Sequence, residues 1–101
     1  MSDEAVDAYA DLGGRLAAQM AEEAFRSVTA DADWTAEDVD AETEQAITRL
    51  EITARDMHAA RGLDPDGAEW SQVWSEMERR YRARMGELLR EIGPRGRGTV
   101  Q

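Results

Sequence analysis

The residue types able to carry acid–base, metal or nucleophilic chemistry are few in these 101 residues, and their spacing fits none of those chemistries. His58 is the only histidine. A carboxylate-bridged di-iron bundle needs Glu-x-x-His pairs, but the residue three before His58 is Arg55, whose charge repels a metal ion. Cysteine is absent, which removes disulfides, thiolate nucleophiles and Cys-based zinc sites. No His-Glu-x-x-His, Gly-x-Ser-x-Gly or glycine-rich phosphate loop occurs. A lone imidazole cannot sustain acid–base chemistry by itself. The expectation is therefore a chain that leans away from enzymes, with no catalytic residue, metal ligand or cofactor.

Arginines and carboxylates offer a different chemistry, that of recognition. Arg79, Arg80, Arg82, Arg84 and Arg90, with Arg95 and Arg97, could gather round a phosphate. Glu76 and Glu78 stand four residues before Arg80 and Arg82, however, so a solvated, self-paired helix face is the simpler reading. Arg84 differs from the rest because it falls inside an apolar stripe. It must extend outwards or pair with a carboxylate, and an interface with a partner would supply one. On the acidic side, Glu37, Asp38, Asp40, Glu42 and Glu44 crowd one helix start. The first three balance the helix dipole. Glu42 and Glu44 carry the run past the first turn, so Asp40, Glu42 and Glu44 form a candidate acidic docking face.

The net charge of −10 is uneven: residues 1–58 hold 15 carboxylates and 4 arginines, and residues 59–101 hold 7 and 8. Direct binding to nucleic acid or anionic lipid needs clustered cations and is not expected. All 12 cations are arginine and asparagine is absent, a bias that points to a GC-rich bacterial or phage genome. No apolar run approaches the roughly 18 residues of a membrane span. The start, Met1-Ser2-Asp3-Glu4, has neither the basic nor the apolar region of a secretory signal, so a cytoplasmic location is expected.

These side chains must be positioned by helices. Trp70, Val73, Trp74, Met77, Tyr81, Met85, Leu88, Leu89 and Ile92 fall within roughly 160° of arc at about 100° per residue. Opened by Asp64-Pro65 and closed by Gly93-Pro94, they predict a helix over 65–92. A second helix, 36–61, is announced by the capping box Thr35/Asp38 and closed by Gly62 in a Schellman arrangement with Leu63. Its core stripe is Val39, Thr43, Ala46, Ile47, Leu50, Ala54 and Met57. The first helix, 3–29, places Val6, Tyr9, Ala10, Gly13, Leu16, Ala17, Met20, Ala24 and Val28 on one face, with Gly13-Gly14 serving close packing or marking a kink. The short link Gly62-Leu63-Asp64 makes the second and third helices an αα-hairpin. The fold expected is an antiparallel, oligomeric three-helix bundle spanning 1–92, followed by a flexible Gly/Arg tail, 93–101. In helix size alone it resembles the small helical chorismate mutases. That resemblance implies several cations, lysines among them, around a dicarboxylate. No lysine is present, and no site residue carries over.

Some apolar residues exceed what such a core needs. Leu12 and Phe25 widen the apolar arc of the first helix to roughly 220°, and Ile52 projects from the back of the second. Leu12, Phe25, Ile52 and Arg84 are therefore the candidate interface residues. The leading expectation is an interaction or assembly protein that self-associates or docks a protein partner. An acidic inhibitor or nucleic-acid mimic is the alternative, followed by a small helical enzyme with an arginine-lined intersubunit pocket.

Overall fold

The computed structural model describes the backbone of residues 2–98 and the side chains of residues 2–91. Three helices account for most of it: α1 (Asp3–Thr29), α2 (Ala36–Ala60) and α3 (Ala68–Gly98). Among the described residues there is no strand, and no helix is long and apolar enough to cross a membrane. The Cα radius of gyration is 15.7 Å, against about 13 Å for a compact domain of this length. The bundle is accordingly slender, with extents of 53 × 22 × 16 Å.

The helix ends follow local chemistry. Ser2 caps α1 by accepting from the Ala5 N–H at 3.2 Å. Thr35 and Asp38 exchange the two reciprocal bonds of a capping box, satisfying donors that the first turn leaves free. At the end of α2, Leu63 N–H donates to the His58 carbonyl and Gly62 N–H to that of Ala59. This is the Schellman pairing, and Gly62 has the positive φ of 80° it requires.

The third helix departs from expectation at both ends. It begins at Ala68, not residue 65, because the Asp64 side chain accepts from Asp66 N–H and the Asp64 carbonyl from Gly67 N–H. Those bonds spend the residue on a turn instead of a helix cap. The backbone then stays helical to Gly98, so residues 93–98 of the expected flexible tail belong to α3 and 99–101 lie outside the described residues. The fixed φ of proline lies within the helical range, so the backbone can run on through Pro94 at the cost of one hydrogen bond and of crowding against the preceding turn. The side chains of Ile92, Arg95 and Arg97 are outside the described residues.

Helices α1 and α3 share the most intimate contact. Val6, Ala10, Gly13, Gly14, Ala17 and Ala21 are buried on α1. Bulky Trp70, Val73, Met77, Tyr81 and Met85 are buried on α3. Helix α1 runs unbroken through Gly13-Gly14. A Cβ at Gly13 would stand 2.9 Å from the Met77 Cγ and Sδ, and one at Gly14 would stand 2.8 Å from the Arg80 Cγ. The two glycines thus admit the large side chains of α3 close to the α1 backbone. Each fully buried large apolar side chain contributes roughly 1.5–3 kcal/mol, which favours this use of small residues on one helix and large ones on the other. Val39, Ala46, Ile47 and Leu50 of α2 complete the core.

Candidate interaction groove

Turning the small residues of α1 towards α3 leaves its larger side chains on the flank. Leu12 is 59 % exposed and Leu16 46 %, and across from them on α2 Met57 is 49 % exposed. Leu16 and Met57 were expected in the core stripes. They are displaced because Gly13, Gly14, Ala17 and Ala21 take the position nearest α3 and carry α1 round with them. Between α1 and α2 lies a cleft of about 550 Å³. Leu12, Leu16 and Met20 form one wall, and Leu50, Ala54 and Met57 the other. Gly13 with Trp70, Val73 and Met77 of α3 closes the floor. Half-burial of Leu12, Leu16 and Met57 leaves roughly 2–5 kcal/mol of apolar transfer unrealised, available to whatever covers them.

Charge sits at the rim. Arg61 lies over the Tyr9 ring, 5.5 Å from its centroid, a cation–π arrangement. It has no carboxylate partner among the described residues. Arg49 also lines the cleft and bonds to Glu42 at 3.1 Å. Beneath the Arg61 end, His58 is 1 % exposed and lies between Tyr9 and Trp70, with ring centroids 5.6 and 5.4 Å away. Neither His58 nitrogen has a hydrogen-bond partner among the described residues. Its role in this packing is that of a flat ring. Among the described residues no three His, Asp or Glu side chains converge as a metal site.

The residues singled out from sequence separate. Leu12 belongs to the groove, whereas Ile52, 58 % exposed, stands on α2 away from it. Phe25 is not a surface residue: it is 6 % exposed and packs edge-on against Trp34 at 6.1 Å. The α1–α2 turn folds Trp34 back over it, which arc-counting on one helix cannot show. Arg84 finds its carboxylates at home, with Glu22 of α1 at 2.9 Å and Glu87 at 3.0 Å. An ion pair to another chain is therefore not needed to explain it.

The acidic docking face is partly neutralised in the same way. Glu42 bonds to Arg49, and Glu44 to Arg82 at 2.8 Å, while Asp40 is exposed with no partner among the described residues. Hydrogen bonds from Arg82 hold the Glu44 carboxyl below its ordinary pKa of 4.5. Arg80 joins Glu76 of its own helix to Asp11 of α1, both at 2.7 Å. Arg79 pairs with Glu76 as well, and Arg82 with Glu78. Arg79, Arg80, Arg82 and Arg84 are thus all committed to carboxylates, which leaves no assembled phosphate cradle there. Leu16 and Met57 are the groove residues that sequence reasoning missed. The signal was present in the Gly13-Gly14 pair, whose lack of Cβ atoms marks the side of α1 that a neighbour approaches most closely.

Compared with protein families, with curated proteins and with solved structures, the chain matches none.

Proposed function

We propose that this chain is a non-enzymatic interaction protein that docks an apolar helical surface into the groove between α1 and α2. The observation that carries this reading is the gathering of Leu12, Leu16 and Met57, all roughly half exposed, round one apolar cleft. Singly exposed apolar residues need no explanation, but a contiguous apolar cleft marks a contact surface. The layout proposed is antiparallel, with α2 running against both neighbours. The pairs Tyr9–His58, Glu44–Arg82 and Arg55–Asp66 support it. The progression Asp7–Gln72, Asp11–Arg80, Glu22–Arg84 accords with α1 and α3 running the same way. A cytoplasmic site of action completes the reading.

The test is site-specific photo-crosslinking in the native host, with the reactive group placed at position 12, 57 or 52. Adducts at 12 and 57 but not at 52 support groove docking. Absence of any adduct at 12 and 57, or equal yields at all three, would overturn it.

A further inference from the structure

Resting on the docking reading, we infer that the occupant of the groove is the same groove of a second copy of this chain. The pair is related by a two-fold axis that crosses α1 at right angles near Leu16. Such an interface is isologous: the same patch of each copy meets itself. Among the described residues the exposed large hydrophobics are Leu12, Leu16, Met57 and Ile52, and the first three stand on the groove itself. Face to face, two such grooves cover each other's apolar rims.

The rim charges select the axis. Arg61 is level with Tyr9, over whose ring it lies. Glu23 is exposed, and neither it nor Arg61 has an ion-pair partner among the described residues. From Tyr9 to Glu23 is about 21 Å along α1 at 1.5 Å per residue, and Leu16 lies halfway, seven residues from each. A half-turn about an axis at Leu16 exchanges the two ends of the groove. Arg61 then faces Glu23 of the second copy, Glu23 faces its Arg61, Leu12 faces Met20, and Leu16 faces Leu16. An axis parallel to the helices would instead set Arg61 among Ala5 and Ala8 and leave Glu23 unmatched. Arg61 with Glu23, and Arg49 with Glu42, make this rim close to charge-balanced, which lets two molecules of net charge −10 approach.

The area sets the strength. Two helix widths by the length from Ala46 to Arg61 is about 20 × 22 Å, or roughly 440 Å² from each copy. A standard interface takes about 800 Å² per partner. At about half that size, the pair is a weak, reversible dimer.

Sedimentation velocity of the full chain from about 1 μM to about 1 mM tests this. A monomer–dimer equilibrium is expected, abolished by Leu16→Glu. Arg61→Glu and Glu23→Arg should each weaken it about tenfold or more. The double exchange R61E/E23R, or an equimolar mixture of the two single variants, should restore it to within about threefold. Recovery in the mixture cannot come from a folding defect. A monomer at every concentration, or a dimer indifferent to Leu16→Glu and to the charge exchange, would overturn the inference. If the chain is monomeric while position 12 still crosslinks to a different host protein, the docking reading stands and the second copy is ruled out. If position 12 yields no adduct of either kind, both fall.

Discussion

Substituting Gly13 by alanine sets two effects of opposite sign against each other at one atom. Within a helix, alanine is favoured over glycine by about 1 kcal/mol. At this position the added methyl would stand 2.9 Å from both Cγ and Sδ of Met77. Met77 is buried, and its Cγ is too near its own backbone to swing clear. Overpacking of this kind costs about 1–3 kcal/mol. The clash wins, and Gly13→Ala is expected to destabilise the chain by about 1 kcal/mol net, a fall of about 4–8 °C in Tm. Gly14→Ala meets the same opposition, because its new methyl would stand 2.8 Å from the Arg80 Cγ, which is equally near its own backbone. It too should destabilise the chain by about 1 kcal/mol net. Guanidinium denaturation with Met77→Ala as the second arm measures the coupling. Met77→Ala alone should cost about 2–5 kcal/mol, and about 1 kcal/mol less in the Gly13→Ala background. If Gly13→Ala gains the full helix-propensity increment and shows no coupling to Met77, the close approach of α3 to α1 is wrong. The groove geometry would go with it.

Two further expectations concern titratable groups. The Tyr81 hydroxyl is buried with no hydrogen-bond partner among the described residues. Relieving that unpaired group with Tyr81→Phe should stabilise the chain by roughly 1 kcal/mol, and a comparable loss in denaturant melts would mean the hydroxyl is satisfied. Burial, reinforced by the charge of Glu42, also pushes the Tyr81 pKa above its ordinary 10.0. Stability from this group is complete below pH 10 and declines as pH rises towards the raised folded value; Tyr81→Phe should flatten that alkaline limb. At the acid end, guanidinium hydrogen bonds hold the Asp11, Glu44 and Glu76 carboxyls below their ordinary 3.8, 4.5 and 4.5. Their contribution is complete above those ordinary values and is lost as pH falls through the lowered folded ones. Denaturant midpoints should drop below about pH 4.5, less steeply in Asp11→Asn and in added salt. A profile unchanged by Asp11→Asn would refute its pairing with Arg15 and Arg80.

Helix existence was legible wherever the signal is local. Thr35 and Asp38 sit three residues apart and bond to each other's backbone, so their cap depends on nothing distant. The Gly62 terminus and the Trp70–Met85 stripe are of the same kind. Asp64 misled because one side chain can cap a helix or fold a turn with equal local chemistry, and Asp66 and Gly67 decided for the turn. Phe25 and Arg84 misled for a longer-range reason. Each is completed by a residue on another segment, Trp34 in one case and Glu22 in the other.

Composition, capping residues and a 3.6-residue period by themselves determined that this is an acidic, all-helical chain without cysteine chemistry, and roughly where its helices lie. All of these act within one or two turns. Only the tertiary structure decided how α1 is rotated about its own axis. Its apolar arc is wide enough to bury either the leucine side or the small-residue side, and the periodicity is satisfied by both. The choice falls to α3, whose Met77 and Arg80 come closest where Gly13 and Gly14 carry no Cβ. That rotation leaves Leu12 and Leu16 outside, opposite Met57, and so creates the groove.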